Sequence, residues 1–269
     1  MENNNKPVIT ITELCKSFGS GNNIKQVLYN INMEIFPGQI IGYIGPNGAG
    51  KTTTVKILCG MLDDFEGAAS VFGYDIRENS LEVKKRIGYI PESTALYEVL
   101  TPMEYLHFVG KIHKMADKDI KQKSKKLLKL FEISENADER MNTFSKGMKQ
   151  KVIIISGFIH NPDIIFMDEP LSGLDANSVI VVKEMLGQLA KDGKTIFYSS
   201  HLMDVVEKIS DRIILINEGR IIADGSFEEL NSGANKDSLE HLFTILTGTS
   251  GHSDRAGEIV DVFENKELW

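Results

Sequence analysis

Residues 45–52 read Gly45-Pro46-Asn47-Gly48-Ala49-Gly50-Lys51-Thr52, a complete G-x-x-x-x-G-K-T loop. Glycines at this spacing let the backbone bend so that several N–H groups converge on phosphate oxygens. The Lys51 ammonium can reach the outer phosphates of a nucleotide, and the Thr52 hydroxyl can ligate Mg2+. Thr53 carries the chain into a helical pattern, Thr53-Thr54-Val55-Lys56-Ile57-Leu58, whose N-terminus favours anions. An apolar stretch, Ile40–Ile44, precedes the loop. That strand–loop–helix context separates a nucleotide-binding loop from a Gly-rich turn. Further along, Ile164-Ile165-Phe166-Met167-Asp168-Glu169 is an apolar strand ending in two acids. Asp168 at the strand tip can hold Mg2+, directly or through water, and Glu169 can orient and deprotonate an attacking water. Pro170 predicts an extended backbone at Glu169. Alone, Asp-Glu-Pro is an ordinary turn; downstream of a phosphate loop it reads as the catalytic half of the site.

The elements that would position these groups can be traced along the chain. Residues 8–44 are rich in β-branched residues, punctuated by Gly-Ser-Gly at 19–21 and by Pro37-Gly38, and predict a small strand-rich region. Residues 68–90 predict further short strands ending in Ile87–Ile90. From about residue 96 to 160 the pattern is helical, with a Lys-rich solvent face at Lys121–Phe131 opposite Leu127, Leu128 and Phe131. Ser145 is a good N-cap. Met148, Val152, Ile155 and Ile159 then recur on one face until Asn161-Pro162. Strands at Ile164–Met167, Thr195–Ser199 and Ile213–Ile216 alternate with helices at about 177–191 and 202–209. Short, wholly apolar strands alternating with helices imply a buried parallel sheet in an α/β fold. Residues 1–230 are expected to form one domain, followed by a short amphipathic helix (Ser238–Leu246), a Thr/Gly/Ser linker (247–253) and an acidic tail (254–269).

Composition removes several classes of function. The chain has 269 residues, 42% hydrophobic and 25% charged, as in an ordinary globular protein. A net charge of −8 gives broad nucleic-acid binding no electrostatic support. Apolar runs such as Val152–Ile155 are far too short to span a bilayer, so a membrane role would come through a partner. Met1–Lys6 is Asn-rich and polar, with no signal-peptide pattern. Cys15 and Cys59 have no metal-type spacing and suggest a reduced, cytosolic chain in which both are small apolar residues.

Over roughly residues 8–230 the chain resembles the ATP-binding-cassette ATPases. Phe144-Ser145-Lys146-Gly147-Met148-Lys149-Gln150 stands where that family has its signature, usually Leu-Ser-Gly-Gly-Gln. Ser172-Gly173-Leu174-Asp175 resembles the D-loop, and Tyr198-Ser199-Ser200-His201 the strand end that carries a switch histidine. The resemblance implies a P-loop NTPase core with an N-terminal antiparallel β-subdomain and a helical insertion at about 93–160. It implies that Ser145 and the N–H groups near Gly147 grip the γ-phosphate of ATP held by a second subunit. His201 would contact that phosphate and help place water, and Asp175 would link the two sites across the dimer. Phe18 falls where the family stacks an aromatic on adenine.

The chain departs from the family pattern at three places. Glu92 stands where a glutamine is usual; it can still ligate Mg2+ or its waters but adds a charge and loses a donor. Lys146 replaces a glycine, placing a positive charge near the phosphates or against the partner subunit. Met148 replaces a glutamine whose amide it cannot imitate. The strings Ile-Pro-Glu…Leu-Tyr…Leu-Thr-Pro-Met-Glu and Phe-Ser-Lys-Gly-Met-Lys-Gln-Lys resemble bacterial cassettes that serve separate membrane subunits, many of them exporters. The expectation is a Mg-ATP-dependent, homodimeric ATPase at the inner face of the cell membrane, docked on permease subunits through residues near Glu92–Tyr105. A soluble cassette ATPase acting in assembly or regulation would share every one of these residues and stays open as an alternative.

Overall fold

In the computed structural model, residues 6–92, 96–200, 203–231 and 238–248 are described. Four strands form an antiparallel sheet: β1 (Ile9–Phe18), β2 (Lys25–Ile35), β4 (Glu66–Val71) and β5 (Tyr74–Asp75), in the order β2-β1-β4-β5. A six-stranded sheet has the order β10-β9-β3-β8-β7-β6. It comprises β3 (Ile40–Ile44), β6 (Ile87–Ile90), β7 (Ile164–Asp168), β8 (Thr195–Ser200), β9 (Arg212–Asn217) and β10 (Arg220–Gly225). Its pairings are parallel except at the β9–β10 edge. There Glu218 and Gly219, with φ of 47° and 73°, make the two-residue turn whose twist suits a hairpin.

The central strands are apolar throughout because each side chain has a core to enter. Successive residues of a strand point to opposite faces. Along β3, Ile41 and Tyr43 pack between the two sheets while Ile40 and Ile44 pack against the helices behind. The same alternation divides Ile164 and Phe166 from Ile165 and Met167 in β7, and Ile214 and Ile216 from Ile213 and Leu215 in β9. Each such side chain contributes about 1.5–3 kcal/mol by leaving water. The helix α1 (Lys51–Leu58) lies in the layer between the sheets, burying Val55, Ile57 and Leu58.

Two elements differ from the sequence expectation. Residues 68–90 contain the helix α2 (Ser80–Arg86), not strands alone. Only Val83 is buried on its seven residues, so the segment carries no periodic signal. The helices α3 (Pro102–Ile112), α4 (Asp117–Leu130) and α5 (Lys146–Phe158) pack on one another as expected. Yet α5 buries Ile153 and Ile154 in addition to its predicted stripe, because it runs between the other helices and the sheet. Pro102 at its first turn and a Thr101–Glu104 capping box start α3. After β7 come α6 (Ala176–Lys191), α7 (Met203–Ile209), α8 (Phe227–Asn231) and α9 (Leu239–Thr247). The last was expected, and Ser238 caps it; residues 249–269 lie outside the described residues. No helix among the described residues is long and apolar enough to cross a membrane.

Candidate nucleotide site

Parallel register brings the C-terminal ends of β3, β7 and β8 side by side. Ile44 pairs with Ser200, and Asp168 with Ser199. The loop at 45–52 therefore begins beside the two acids that end β7, which is where open α/β sheets bind ligands. A cavity of about 650 Å3 lies there. Residues 45–48 and 50–53 of the loop, Glu92, Asp168 and Glu169 line it, together with Lys25, Val27, Met203 and Phe243. Gly50, with φ of 108°, turns the chain into α1, and a Cβ there would meet Leu28 at 2.5 Å. Ala49 does not line this cavity. Its methyl is buried in the core and its N–H donates to Pro46 O at 3.1 Å, so it shapes the loop from behind instead of lining the cavity.

The polar groups are tied to one another. Lys51 Nζ donates to Gly45 O (2.7 Å) and Pro46 O (3.2 Å). Burial holds its pKa below the ordinary lysine value, and the carboxylates of Glu169, Asp168 and Glu92 work in the opposite direction. Thr52 Oγ1 donates to Asp168 Oδ2 at 2.7 Å, and Ser199 Oγ donates to Asp168 Oδ1. Ser200 Oγ donates to Glu169 Oε2 at 3.1 Å. The hydroxyl of Thr52 and the carboxylates of Asp168 and Glu92 are hard oxygen donors of the kind Mg2+ takes. Among the described residues no group of three His, Cys, Asp or Glu side chains stands close enough to hold a metal ion alone. A cation there would need oxygens from the nucleotide as well, as Mg2+ in such sites does.

Glu169 corrects one reading. Its φ is 48°, in the left-handed region, where the following proline predicted an extended backbone. Glu169 N–H donates to Ser199 O at 2.9 Å, and Ser172 N–H donates back to Glu169 O at 3.2 Å. These tertiary and turn contacts override the local preference and hold a strained backbone beside the loop.

The remaining candidates gather elsewhere. Ser145 caps α5, its Oγ accepting from Met148 N–H at 3.2 Å, and is exposed. Gly147 lies so near the loop after β7 that a Cβ would meet Gly173 O at 2.7 Å. Lys146 Nζ donates to Ser172 Oγ at 3.0 Å, so its charge is turned to the same chain's 172–175 loop. Asp175 caps α6, accepting from Ser178 N–H and Oγ and facing Lys151 Nζ at 3.5 Å. The Ser178 hydrogen bonds hold its pKa down at about 2. Gln150 Nε2 donates to Pro170 O at 2.8 Å, which ties α5 to the acidic strand end. Among the described residues, Ser145, Gly147 and Asp175 thus form a second cluster that does not line the cavity. Phe18 is 41% exposed, with Lys16 Nζ 4.6 Å from its ring centroid; it pairs across the sheet with Lys25, which does line the cavity. His201 lies outside the described residues.

Sequence reasoning missed Ser199, Ser200, Met203 and Phe243. Ser199 pairs across the sheet with Asp168, and Ser200 Oγ donates to Glu169, contacts that only the register of the two strands creates. Phe243 carried no signal: α9 reaches the cavity by packing on α7, with Leu239 N–H donating to Glu207 Oε2 at 2.9 Å.

Comparison with known proteins agrees with this geometry. A family model described as ABC transporter matches residues 28–172. The ABC transporter ATP-binding protein NatA of Bacillus subtilis is 35% identical over 237 residues, covering 88% of this chain and 96% of NatA. The linearmycin resistance ATP-binding protein LnrL of the same organism is 35% identical over 218 residues, covering 81% and 70%. The solved structure of an ATP-binding subunit of an ABC transporter superposes with a TM-score of 0.81 at 29% identity, covering 89% of this chain and 99% of that one.

Proposed function

The chain belongs to the ABC transporter family as an ATP-binding ATPase subunit, and from that premise we propose that it drives an exporter as one half of an ATP-bound homodimer. The observation that carries the dimer is the division of the site. One cluster lines a cavity suited to the nucleotide's phosphates, while exposed Ser145 and its helix N-terminus stand apart from that cavity in the same chain. A second copy placed head to tail would bring Ser145 and the Gly147 amide to the γ-phosphate, where a capped helix start favours an anion.

In this reading Lys51 leaves its carbonyl partners for the β- and γ-phosphates. Thr52 and Asp168 hold Mg2+, with Glu92 contributing directly or through water; the bound ion supplies charge neutralisation on the phosphates. Glu169 accepts a proton from water as the water oxygen bonds to the γ-phosphorus. The bond from that phosphorus to the bridging oxygen breaks, and ADP and phosphate leave. Phe18 stacks on adenine, His201 contacts the γ-phosphate, and Asp175 joins the two sites.

Export is favoured by the relation to LnrL, whose name records linearmycin resistance. A docking face for a permease is favoured by exposed apolar residues on and before α3. Tyr97, Val99 and Phe108 are 62%, 66% and 44% exposed, and Tyr97 meets Phe108 edge to face at 5.9 Å. Such a dimer would work at the inner face of the membrane, held there by its permease.

Glu169→Gln is expected to cut ATP turnover by at least about a hundredfold, the scale of a lost general base, while ATP binding persists and a dimer accumulates. Turnover near wild type would remove the base assignment. Purification from its own membranes tests the transporter role: a polytopic membrane protein should accompany the chain, and a stable complex with soluble partners alone would favour the assembly or regulatory reading.

A further inference from the structure

We infer that Ser200 is a positioning residue for the Glu169 carboxylate, holding it in the orientation from which it faces the attacking water; this rests on Glu169 being the base. Glu169 is the first residue beyond β7, and its left-handed backbone takes it out of the strand's regular alternation. The strand that ends at Asp168 therefore does not dictate where the Glu169 side chain points. A glutamate also has three side-chain torsions to fix, and the outermost is soft.

The neighbouring strand supplies what β7 lacks. Ser200 is the last residue of β8 and is 1% exposed. The parallel pairing sets Ser199 opposite Asp168. One step further, Ser200 stands beside Glu169, whose N–H is anchored on Ser199 O. The two serines thus serve the two acids one to one. A serine hydroxyl has one proton to donate and Ser199 gives its own to Asp168, so Ser199 cannot hold both. Ser199 Oγ donates to Asp168 Oδ1, and Ser200 Oγ donates to Glu169 Oε2 at 3.1 Å. A hydroxyl on one oxygen fixes the plane of a carboxylate and so the direction of the other oxygen. Glu169 is only 8% exposed, so water is a poor substitute for that hydroxyl.

The test is steady-state ATP hydrolysis and nucleotide binding by the full chain as wild type, Ser200→Ala, Ser200→Thr, Glu169→Gln and the Ser200→Ala/Glu169→Gln double variant. Loss of a hydrogen bond to a charged group predicts that Ser200→Ala lowers kcat about ten- to a hundredfold, with KM for ATP within about twofold. Ser200→Thr keeps the hydroxyl and suits a strand, and recovers kcat to within about threefold of wild type. In the Glu169→Gln background Ser200→Ala adds no further loss, because the oriented base is already gone. The inference is overturned by wild-type kcat in Ser200→Ala, by a threonine no better than alanine, or by additive losses in the double variant. A Ser200→Ala protein that loses ATP affinity and melting temperature together overturns it too, unless Ser200→Thr restores kcat. Should Glu169→Gln turn over like wild type, the base assignment fails, and this inference with it.

Discussion

The cavity beside the phosphate loop and the surface around the start of α5 are built in opposite ways. At the cavity, Lys51, Thr52, Asp168 and Glu169 each have partners in the same chain, donated by the loop itself and by Ser199 and Ser200. The α5 surface instead exposes Ser145 and spends Lys146 and Gln150 on the 170–175 loop. One region is complete as a holder of phosphates; the other is complete only as a support for a surface. The dimer proposed above would need this division, since groups that cover a ligand must stay accessible until a second copy arrives.

Three experiments would break or sharpen that contrast. Lys51→Ala should act on the closed region alone, weakening ATP binding by about ten- to a hundredfold, as the loss of a charge-assisted contact to phosphate would. Equal ATP affinity, measured by titration calorimetry, would detach Lys51 from the phosphates. Gly147→Val should act on the open region. Its side chain must displace Gly173 O or the start of α5, which predicts about tenfold slower turnover and about 1–3 kcal/mol lower stability. ATP affinity of the separated subunit should change by less than about twofold, because Gly147 does not line that subunit's cavity. A matching loss of affinity there would merge the two regions into one.

The smallest effect concerns the joint between the helices and the sheet. His160 follows α5, and one ring nitrogen lies 2.9 Å from Ile87 O of β6. Its ring stacks on His113, at the end of α3, with centroids 3.6 Å apart. Burial, joined by nearby His113, Lys123 and Lys194 and opposed by the Ile87 hydrogen bond, lowers its pKa to about 4. A histidine depressed in the folded state binds fewer protons there than in the unfolded chain between pH 6.5 and 4. Stability from this group is therefore full above about pH 6.5 and falls towards pH 4, by about 1–2 kcal/mol given its partial exposure. Urea melts of wild type and His160→Gln across that range should converge as pH falls. A constant difference would show that His160 does not carry the pH dependence.

Much of this was legible in the sequence for identifiable reasons. The phosphate loop is a contiguous string whose chemistry lies in its own backbone. The strands β3, β7, β8 and β9 were visible because both their faces are buried, so each reads as an uninterrupted apolar run. The cap at Ser145 was visible because it acts within three residues of itself; Asp175 and Ser238 cap their helices in the same way. The short α2 was hidden because one buried residue makes no period, and β10 because no residue of this edge strand is fully buried and only Gly219 marks its hairpin. At Glu169 the proline rule pointed the wrong way, because a hydrogen bond to Ser199 of the next strand, together with a turn, outweighed a local preference.

The sequence by itself determined which groups are present: a loop that bends around phosphates, two acids at a strand end, and a capped helix start with a short glycine-containing loop. Those follow from residue type and near-neighbour spacing, the range over which backbone sterics and capping act. Only the tertiary structure decided which groups meet. The register of β7 against β8 sets Ser199 opposite Asp168 and leaves Ser200 to donate to Glu169, the packing of α9 on α7 brings Phe243 to the cavity, and the turn after β7 joins Gly147 to Gly173. Each of those contacts links residues distant in sequence, and is held in place by the burial of side chains that take no part in the chemistry.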